Sequence, residues 1–398
     1  MTAVITGLGV VAPTGTGVPD WWRATVSGAS GLGPVTRFDA SSYPVRVAGE
    51  VPADPVSTVD RRIAAQTDRW THFALQAAQE ALDSSGLPLD GGLEVGVTTS
   101  ASSGGNAFGQ REIEALWSRG PSHVGPFQSI AWFYAASTGQ LSIKHRLRGP
   151  CAVVCSEGAG GLDALAHARR AIARGARAIL VGGTEAPISP YALTCQLPSG
   201  HLSTVDDPAT AYRPFSSSAS GYVPGEGGAL AVLEDGGSAR DRGATVLAEV
   251  SGHAATFGSG GFGASAPALS AAIRGALADA GIGPTDVDAV FADAVGTVAA
   301  DRAEVAALRA VLGGAVPVTA PKAGTGRTYS AGGALDVAAA AYALRDGVIP
   351  PTPGAAPADG IDLVSGAARP ARLRHVLILA RGFGGFASAL VLSRHAAN

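Results

Sequence analysis

The chain has 398 residues, of which 46% are hydrophobic and 15% are charged, and its formal net charge is -3 at pH 7. This apolar content excludes a disordered chain, and the slightly acidic balance argues against binding to nucleic acid or to an anionic membrane. The three cysteines (Cys151, Cys155 and Cys195) are too few for a secreted disulfide framework, so we expect a cytoplasmic protein in a reducing compartment.

Short apolar runs alternate along the chain with longer, alanine-rich stretches of helical spacing. Such alternation predicts an α/β protein whose helices cover the faces of a sheet. The runs predicted as strands are Ala3–Val11, Leu93–Thr99, Ala178–Gly182, Gly228–Glu234, Val246–Gly252, Ala289–Ala294 and Val376–Ala380. The stretches predicted as helices are Asp68–Ser84, Gly161–Ala173, Ala266–Ala280, Asp301–Leu312 and Ala331–Arg345.

The first predicted strand, Ala3–Val11, is apolar enough to resemble the core of a secretion signal. No lysine or arginine precedes Arg23, however, and no small-residue cleavage site follows, so we interpret the run as a buried strand. No stretch of the chain reaches the ~18 uninterrupted apolar residues that a membrane span requires. The sequence therefore predicts a protein without a membrane partner.

A weak internal repeat divides the chain. Residues 80–88 and 275–284 both have the pattern of a helix end with a glycine cap and a following proline, and each precedes a predicted strand. Two such units about half a chain apart predict a duplicated α/β body, although this connection is common enough to arise without duplication. The segment 236–243 is the expected seam, which gives halves of residues 1–240 and 241–398 packed as one body.

A candidate reactive site lies between residues 155 and 172, where an apolar segment passes through several glycines into a predicted helix. A strand-to-helix elbow of this kind presents its central residue at the N-terminus of the helix. The helix dipole and the free backbone amides there favour an anion or a thiolate. This environment lowers the pKa of a cysteine nucleophile, so the elbow is the first place to look for one.

Several long blocks, in order along essentially the whole chain, resemble the β-ketoacyl synthases of the thiolase superfamily. The blocks are Gly161–Ala164, Leu202–Phe215, Gly221–Ala229 and the glycine loop Gly382–Gly385. The resemblance implies an α/β, thiolase-like fold in which two duplicated halves form a five-layer α-β-α-β-α body.

The family's catalytic residues are missing from the matching motifs. The resemblance implies a nucleophilic cysteine at the elbow and two neutral histidines that polarise a thioester carbonyl. These three positions hold Gly158, Val295 and Arg327, and none of these side chains can perform the family's chemistry. Phe383 lies in the loop that forms the family's oxyanion hole. We therefore expect no catalytic residue, no cofactor and no metal site in this chain.

Two alternatives to a non-catalytic chain stay open, and the first depends on Cys155 or on an unrecognised residue. Cys155 lies three residues before the elbow, in a segment expected to be buried, where a thiol is inert. If it were reactive instead, the chain would be an autonomous β-ketoacyl synthase or acyltransferase with a non-standard nucleophile. A thiolase-like hydrolase or acyl-binding protein that acts alone is the other alternative.

One subgroup of the family matches this pattern: the chain length factor, or ketosynthase beta subunit (KSβ), of type II polyketide synthases. The blocks 131–145, 159–165, 290–294 and 326–330 resemble this subgroup, as does Arg327 itself. The resemblance implies a heterodimer with an active ketosynthase alpha subunit and an acyl carrier protein that delivers the polyketide intermediate. Most of the subgroup carries glutamine at the elbow, so Gly158 indicates a divergent member, for instance one of a reducing, polyene-forming pathway.

The resemblance also implies how such a subunit acts, because the partner's acyl tunnel runs along the interface and side chains of this subunit limit chain growth. The gating residues by position match are Asn106, Gly109, Ile113 and Ile130, and those in the vicinity of the tunnel or interface are Phe108, Leu116, Trp132 and Phe133. Gly109 and the two isoleucines predict an open or extended tunnel. The alternative is that Phe108, Ile113, Leu116 and Trp117 form one apolar helix face packed in a core.

Overall fold

The structure is a computed structural model that describes residues 2–52, 59–89 and 95–395. The strands in these ranges are β1 Ala3–Ala12, β2 Gly15–Thr16, β3 Leu32–Pro34, β4 Val47–Gly49, β5 Val95–Ser100, β6 Cys151–Val154, β7 Ala178–Glu185, β8 Gly227–Asp235, β9 Ala248–Phe257, β10 Ala289–Phe291, β11 Pro317–Thr319, β12 Val348–Ile349, β13 Asp362–Leu363, β14 Arg369–Pro370, β15 His375–Gly382 and β16 Phe386–Ser393. The helices are α1 Val18–Ser27, α2 Arg61–Ala64, α3 Arg69–Ser85, α4 Asn106–Arg119, α5 Gln128–Trp132, α6 Ala136–His145, α7 Gly160–Ala173, α8 Pro190–Gln196, α9 Gly236–Asp241, α10 Ala266–Ala280, α11 Val298–Leu312 and α12 Ser330–Asp346.

The two halves of the chain build sheets with the same strand order. The order is β6-β5-β7-β8-β1 in the N-terminal half and β11-β10-β15-β16-β9 in the C-terminal half, where β13 adds one further strand beside β11. In both, the first three strands are parallel neighbours, and the last two are added in antiparallel orientation. The predicted duplication is therefore confirmed by topology, while the position of the seam near residue 240 stays a prediction.

The helices divide into three layers around these two sheets. Helix α3 covers the outer face of the N-terminal sheet, and α10, with α11 beside it, covers the outer face of the C-terminal sheet. Helices α7 and α12 lie between the sheets and pack against both, where Leu162, Leu165 and Val337 belong to one buried apolar cluster. The result is the five-layer α-β-α-β-α body that the sequence predicts, with the elbow at the start of the central helix α7.

Strand β1 joins the two sheets at the centre of the molecule. All ten of its residues are buried, and Val4 and Ile5 pair with Glu249 and Ala248 of β9. This confirms that the apolar start of the chain is a buried strand. Within the described ranges, none of the helices has both the length and the hydropathy needed to cross a membrane.

Most predicted elements are confirmed, and the deviations have local causes. The paired helix ends at Gly86 and Gly281 are left-handed caps with φ of 58° and 68°. The strand predicted over 289–294 ends at Phe291. The amide of Ala292 still donates to the carbonyl of Thr319 in β11, but the amides of Asp293 and Ala294 donate to the carboxylate of Glu304 on α11 instead of to a neighbouring strand. Leu93 and Glu94 of the second predicted strand lie outside the described residues.

Candidate functional site

The elbow is built as predicted, but its central position has no room for a side chain. After β6, a single turn of 3₁₀-helix over Glu157–Ala159 leads directly into α7. A Cβ atom added to Gly158 would lie 2.4 Å from the carbonyl oxygen of Arg381 and 2.9 Å from Nη2 of Arg327. The first distance is a clash with backbone, so any larger residue requires these groups to move.

Arg327 fills the space in front of the elbow. Its Nη2 donates to the carbonyl oxygen of Arg381 at 2.5 Å and lies 3.0 Å from Oδ1 of Asp293. The guanidinium also lies over the rings of Tyr222 and Phe262, at 5.8 and 5.5 Å from their centroids. Burial by itself would lower the pKa of Arg327, but Asp293 and nearby phenols raise it above its ordinary value. The side chain is therefore a fixed cation and cannot act as a neutral donor of the imidazole kind.

The third altered position, Val295, contributes packing only. Its side chain is fully buried in an apolar cluster that also contains Tyr212, Tyr222 and Phe262. The same two rings, Tyr222 and Phe262, contact Arg327, so the structure brings all three altered positions into one region.

A network of buried ion pairs, formed by residues of the C-terminal half, stabilises the region around the elbow. Arg381, with no exposed surface, donates from Nε to Asp293 at 2.9 Å and from Nη2 to Glu304 at 2.7 Å. Glu304 also accepts the backbone amides of Asp293 and Ala294 at 2.8 and 2.9 Å. Burial would raise the pKa of Asp293, but Arg327 and Arg381 lower it to about 2. These charges are satisfied internally, so they hold the loops in place and are not available for a substrate.

The backbone amide of Phe383, in the loop that the resemblance assigns to the oxyanion hole, is already occupied. It donates to Oε2 of Glu157 at 2.6 Å. Glu157 itself has φ of 50°, an uncommon value for a residue with a side chain. Burial raises the pKa of Glu157, and Arg327 and the amides of Gly158 and Phe383 partly offset this. The chain thus places its own carboxylate where the family would hold a developing oxyanion.

A cavity of about 280 Å³ remains beside these groups. It is lined by Glu157, Arg327 and Phe383 together with the side chains of residues 195, 196, 198, 199, 201, 222, 262 and 329. Within the cavity, burial lowers the pKa of His201, and so does Arg327. A neutral imidazole is therefore present, but it comes from a different part of the chain than either histidine of the family's motifs.

Cys155 is exposed, so the expectation that it is buried is wrong. The cause is topological: Cys155 follows β6, and in the described part of the chain β6 pairs only with β5 and forms an edge of the sheet. Partial burial, and then the nearby Glu185, raise the pKa of the Cys155 thiol. A raised pKa leaves less thiolate at neutral pH, which disfavours Cys155 as a nucleophile.

The predicted gate residues lie on two neighbouring helices. Asn106 and Gly109 are buried on α4, Ile113 is half-buried on the same helix, and Ile130 is exposed on α5. A Cβ atom on Gly109 would lie 3.7 Å from the ring of Trp132 and from Nε2 of Gln128. Position 109 therefore faces α5 directly, at a distance that admits a small side chain.

The remaining apolar residues of this region are mostly on the surface. Phe108 is buried and Leu116 is half-buried, but Trp117 is 83% exposed, which overturns the alternative that all of them pack in a core. Helices α4, α5 and α6 contact one another in turn, and α6 contacts the edge strand β6. Large apolar side chains project outward along this series: Trp117, Ile130, Trp132, Phe133, Tyr134 and Ile143. We call this surface, with the free edge of β6, the apolar face.

Sequence patterns point neither to Glu157, which is half-buried, nor to Glu185, which is fully buried. A carboxylate at the end of the otherwise apolar strand β7 is the one available signal for Glu185, and Glu157 is hidden among elbow glycines. Their roles depend on amide and hydroxyl partners from distant segments.

Comparison with known proteins agrees with this geometry. The family sequence model of the beta-ketoacyl synthase N-terminal domain matches residues 2–239. The family model of the C-terminal domain matches residues 247–356. The beta subunit of the tetracenomycin polyketide synthase ketoacyl synthase from Streptomyces glaucescens is 51% identical over 401 residues, covering 98% of both chains.

Solved structures give the same result. The ishigamide ketosynthase/chain length factor superposes with a TM-score of 0.91 at 28% identity, over 99% of both chains. A type II polyketide synthase ketosynthase, in complex with its acyl carrier protein and bound to the hexaketide, superposes with a TM-score of 0.89 at 26% identity, also over 99% of both chains. The chain belongs to the beta-ketoacyl synthase family and, within it, to the ketosynthase beta subunits, or chain length factors, of type II polyketide synthases.

Proposed function

We propose that this chain is a non-catalytic subunit that pairs with an active ketosynthase and controls the length of a polyketide. One observation carries the proposal: the elbow position Gly158 is closed by Arg327 and the carbonyl of Arg381. A nucleophile cannot be accommodated there, and Glu157 occupies the amide of Phe383 that an acyl oxygen would need. A ketosynthase-like scaffold with a closed site supports a role through shape and assembly.

The apolar face supports assembly with a second protein. Its side chains are unusually exposed for their size, with 64% of Phe133 and 72% of Ile143 accessible. Clustered exposed apolar residues mark interaction surfaces, and an edge strand offers unpaired backbone groups to a partner. A homologous ketosynthase alpha subunit would cover this face, with an interface of the obligate class, above ~2,000 Å².

The gate supports the control of length. Asn106, Gly109, Ile113 and Ile130 lie on α4 and α5, which also carry much of the apolar face. A growing chain tethered to the partner and directed toward this subunit would meet these two helices. The glycine at 109 leaves space opposite Trp132, which fits a tunnel that admits a long product.

The remaining partners follow from the same role. The partner's substrates are malonyl and acyl thioesters on an acyl carrier protein, and this chain itself requires no cofactor and no contact with nucleic acid or a membrane. The three unpaired cysteines favour a reducing cytoplasm. A reducing, polyene-forming pathway, inferred from Gly158, remains part of the proposal.

The proposal is tested by co-expression with a ketosynthase alpha subunit, followed by size-exclusion chromatography and product analysis. We expect a heterodimer, and we expect Gly109→Trp to shorten the products because the indole fills the space opposite Trp132. The matched control is Gly261→Trp, at an exposed position where nothing lies within 4 Å of an added Cβ. Unchanged product length from a stably assembled Gly109→Trp heterodimer would refute the gate.

The exposure of Cys155 keeps one alternative function testable. If the chain were an autonomous acyltransferase, iodoacetamide would label Cys155 faster than the other exposed thiols, Cys151 and Cys195, and the isolated chain would become acylated. We expect no acylation of the isolated chain, and labelling of Cys155 no faster than that of Cys195.

A further inference from the structure

Glu185 lies at the end of β7, has no exposed surface, and connects two separate parts of the molecule. Its Oε1 accepts the backbone amide of Ser102 at 2.6 Å and the hydroxyl of Ser330 at 2.6 Å. Its Oε2 accepts the backbone amide of Ser103 at 3.3 Å. Ser102 and Ser103 precede the gate helix α4, whereas Ser330 begins the central helix α12.

The contacts continue from Glu185 to a gate residue. The amide of Ser103 donates to Glu185, and the hydroxyl of Ser103 accepts a hydrogen bond from Nδ2 of Asn106. Glu185 is therefore linked to the gate residue Asn106 through one intervening residue, Ser103. It also restrains the backbone from which α4 starts.

The loop that Glu185 holds is also packed tightly against α5. A Cβ atom on Gly105 would lie 2.1 Å from the carbonyl oxygen of Ala131, and one on Gly104 would lie 2.7 Å from that of Trp132. Because the two backbones touch, a shift of the loop displaces α5 as well. Both helices of the gate thus depend on the position of residues 102–105.

We propose that Glu185 is the positioning residue of the gate: its carboxylate fixes the loop 102–105 and thereby sets the product length. The inference rests on the proposed function, since it gives this residue a role in the same gate. Glu185 has no exposed surface and acts through Ser103 and the loop.

The protonation state of Glu185 gives the proposal a readout that a purely structural residue would not have. Burial raises the pKa of Glu185 to about 7. Among the described residues, the titratable groups that face it are Tyr134, Cys155, Glu157 and Tyr329, none of which is a cation. A carboxylate holds amide donors more strongly than a neutral acid does. The loop is therefore held firmly above pH 7 and less firmly below it.

The experiment compares the product lengths made by the complete heterodimer at about pH 6 and about pH 8. For the unaltered protein we expect the share of products of abnormal length to be about threefold higher at the lower pH, as expected for one weakened hydrogen bond. Glu185→Gln should show the higher share at both pH values. Ser103→Ala, which removes only the bond to Asn106, should change the lengths in the same direction.

Controls separate this role from general destabilisation. Glu234→Gln removes a different buried carboxylate, bonded to Thr6 and to Arg242, and should leave product length and its pH dependence unchanged. If Glu185→Gln assembles and gives the unaltered product lengths at both pH values, the positioning role is wrong. If Gly109→Trp also has no effect, the gate itself fails; if Gly109→Trp shortens products, only the role of Glu185 fails.

Discussion

Two buried acid sites, one in each half of the chain, are stabilised in opposite ways. Asp293 and Glu304 in the C-terminal half lie against the guanidinium groups of Arg327 and Arg381. Glu185 in the N-terminal half accepts hydrogen bonds from neutral donors. The pKa of Asp293 is lowered to about 2, whereas burial raises that of Glu185 to about 7. The paired site forms a fixed frame, and the unpaired site can respond to pH.

The largest effect is expected from breaking the paired site. Arg381→Met leaves Asp293 and Glu304 without one of their counter-ions, and removing one partner of a buried ion pair costs about 3–5 kcal/mol. Urea unfolding measures this loss. The control, Arg23→Met, removes an arginine whose pair with Asp20 is exposed and should cost less than about 1 kcal/mol. An equal loss in the free energy of unfolding in the two variants would show that the buried ion network does not stabilise the fold.

The pH dependence of stability tests the unpaired site. Burial raises the pKa of Glu185 from 4.5 to about 7, so the folded state binds the proton more tightly than the unfolded state does. The stability that Glu185 contributes is therefore complete below about pH 4.5 and lost as the pH rises through 7, because the desolvation of the buried carboxylate outweighs its stronger hydrogen bonds to the loop amides. The free energy of unfolding of the unaltered protein, relative to Glu185→Gln, should fall by about 3 kcal/mol over this range. A constant difference would mean that Glu185 is compensated by a cation after all.

A substitution at Gly158 tests the contact between the elbow in the N-terminal half and Arg381 in the C-terminal half. Gly158→Cys restores the cysteine that the family carries at this position, but its Cβ would lie 2.4 Å from the carbonyl oxygen of Arg381. We expect a loss of about 1–3 kcal/mol in the free energy of unfolding, as for other overpacked sites, and no condensing activity. Gly261→Cys, at an open position, is the control and should be within about 0.5 kcal/mol of the unaltered protein. A stable and acylated Gly158→Cys variant would show that the elbow is not closed.

The smallest effect on folding is expected at the apolar face. Trp117 is 83% exposed, so Trp117→Ser should change the stability of the chain by no more than about 0.5 kcal/mol. The same change should weaken assembly with the ketosynthase, by about 2 kcal/mol if Trp117 is a dominant contact. Phe257, also exposed but five strands away from β6 in the C-terminal half, is the control. Equal yields of heterodimer from Trp117→Ser and Phe257→Ser would place the interface elsewhere.

Much of the fold could be predicted from the sequence because local signals agree with it. Apolar runs mark nearly all the long strands, and the glycine caps at Gly86 and Gly281 reveal the repeat. The apolar pattern predicts no strand at β16 (Phe386–Ser393), which directly follows the glycine loop. The same pattern extends β10 beyond Phe291, since nothing local shows that Glu304 accepts the amides of Asp293 and Ala294.

The residues of the candidate site likewise fall into those that motifs identify and those that depend on packing. The altered residues Gly158, Val295 and Arg327 could be recognised from motifs, because each substitution changes the chemistry of a known position. The exposure of Cys155 could not, because it depends on which strand forms the edge of the sheet. The position of Gly109 opposite Trp132 could not be predicted either, because it depends on how α4 packs against α5.

The family, the duplicated α/β plan and the loss of the thiol and imidazoles can all be recognised without coordinates, since they follow from the identity and order of residues. The three-dimensional packing was needed to find that Arg327 and Arg381 close the elbow, that Glu157 accepts the Phe383 amide, and that Glu185 binds the loop 102–105. The reason is physical: these groups meet across more than 80 residues of chain, where steric fit and burial depend on how the layers pack.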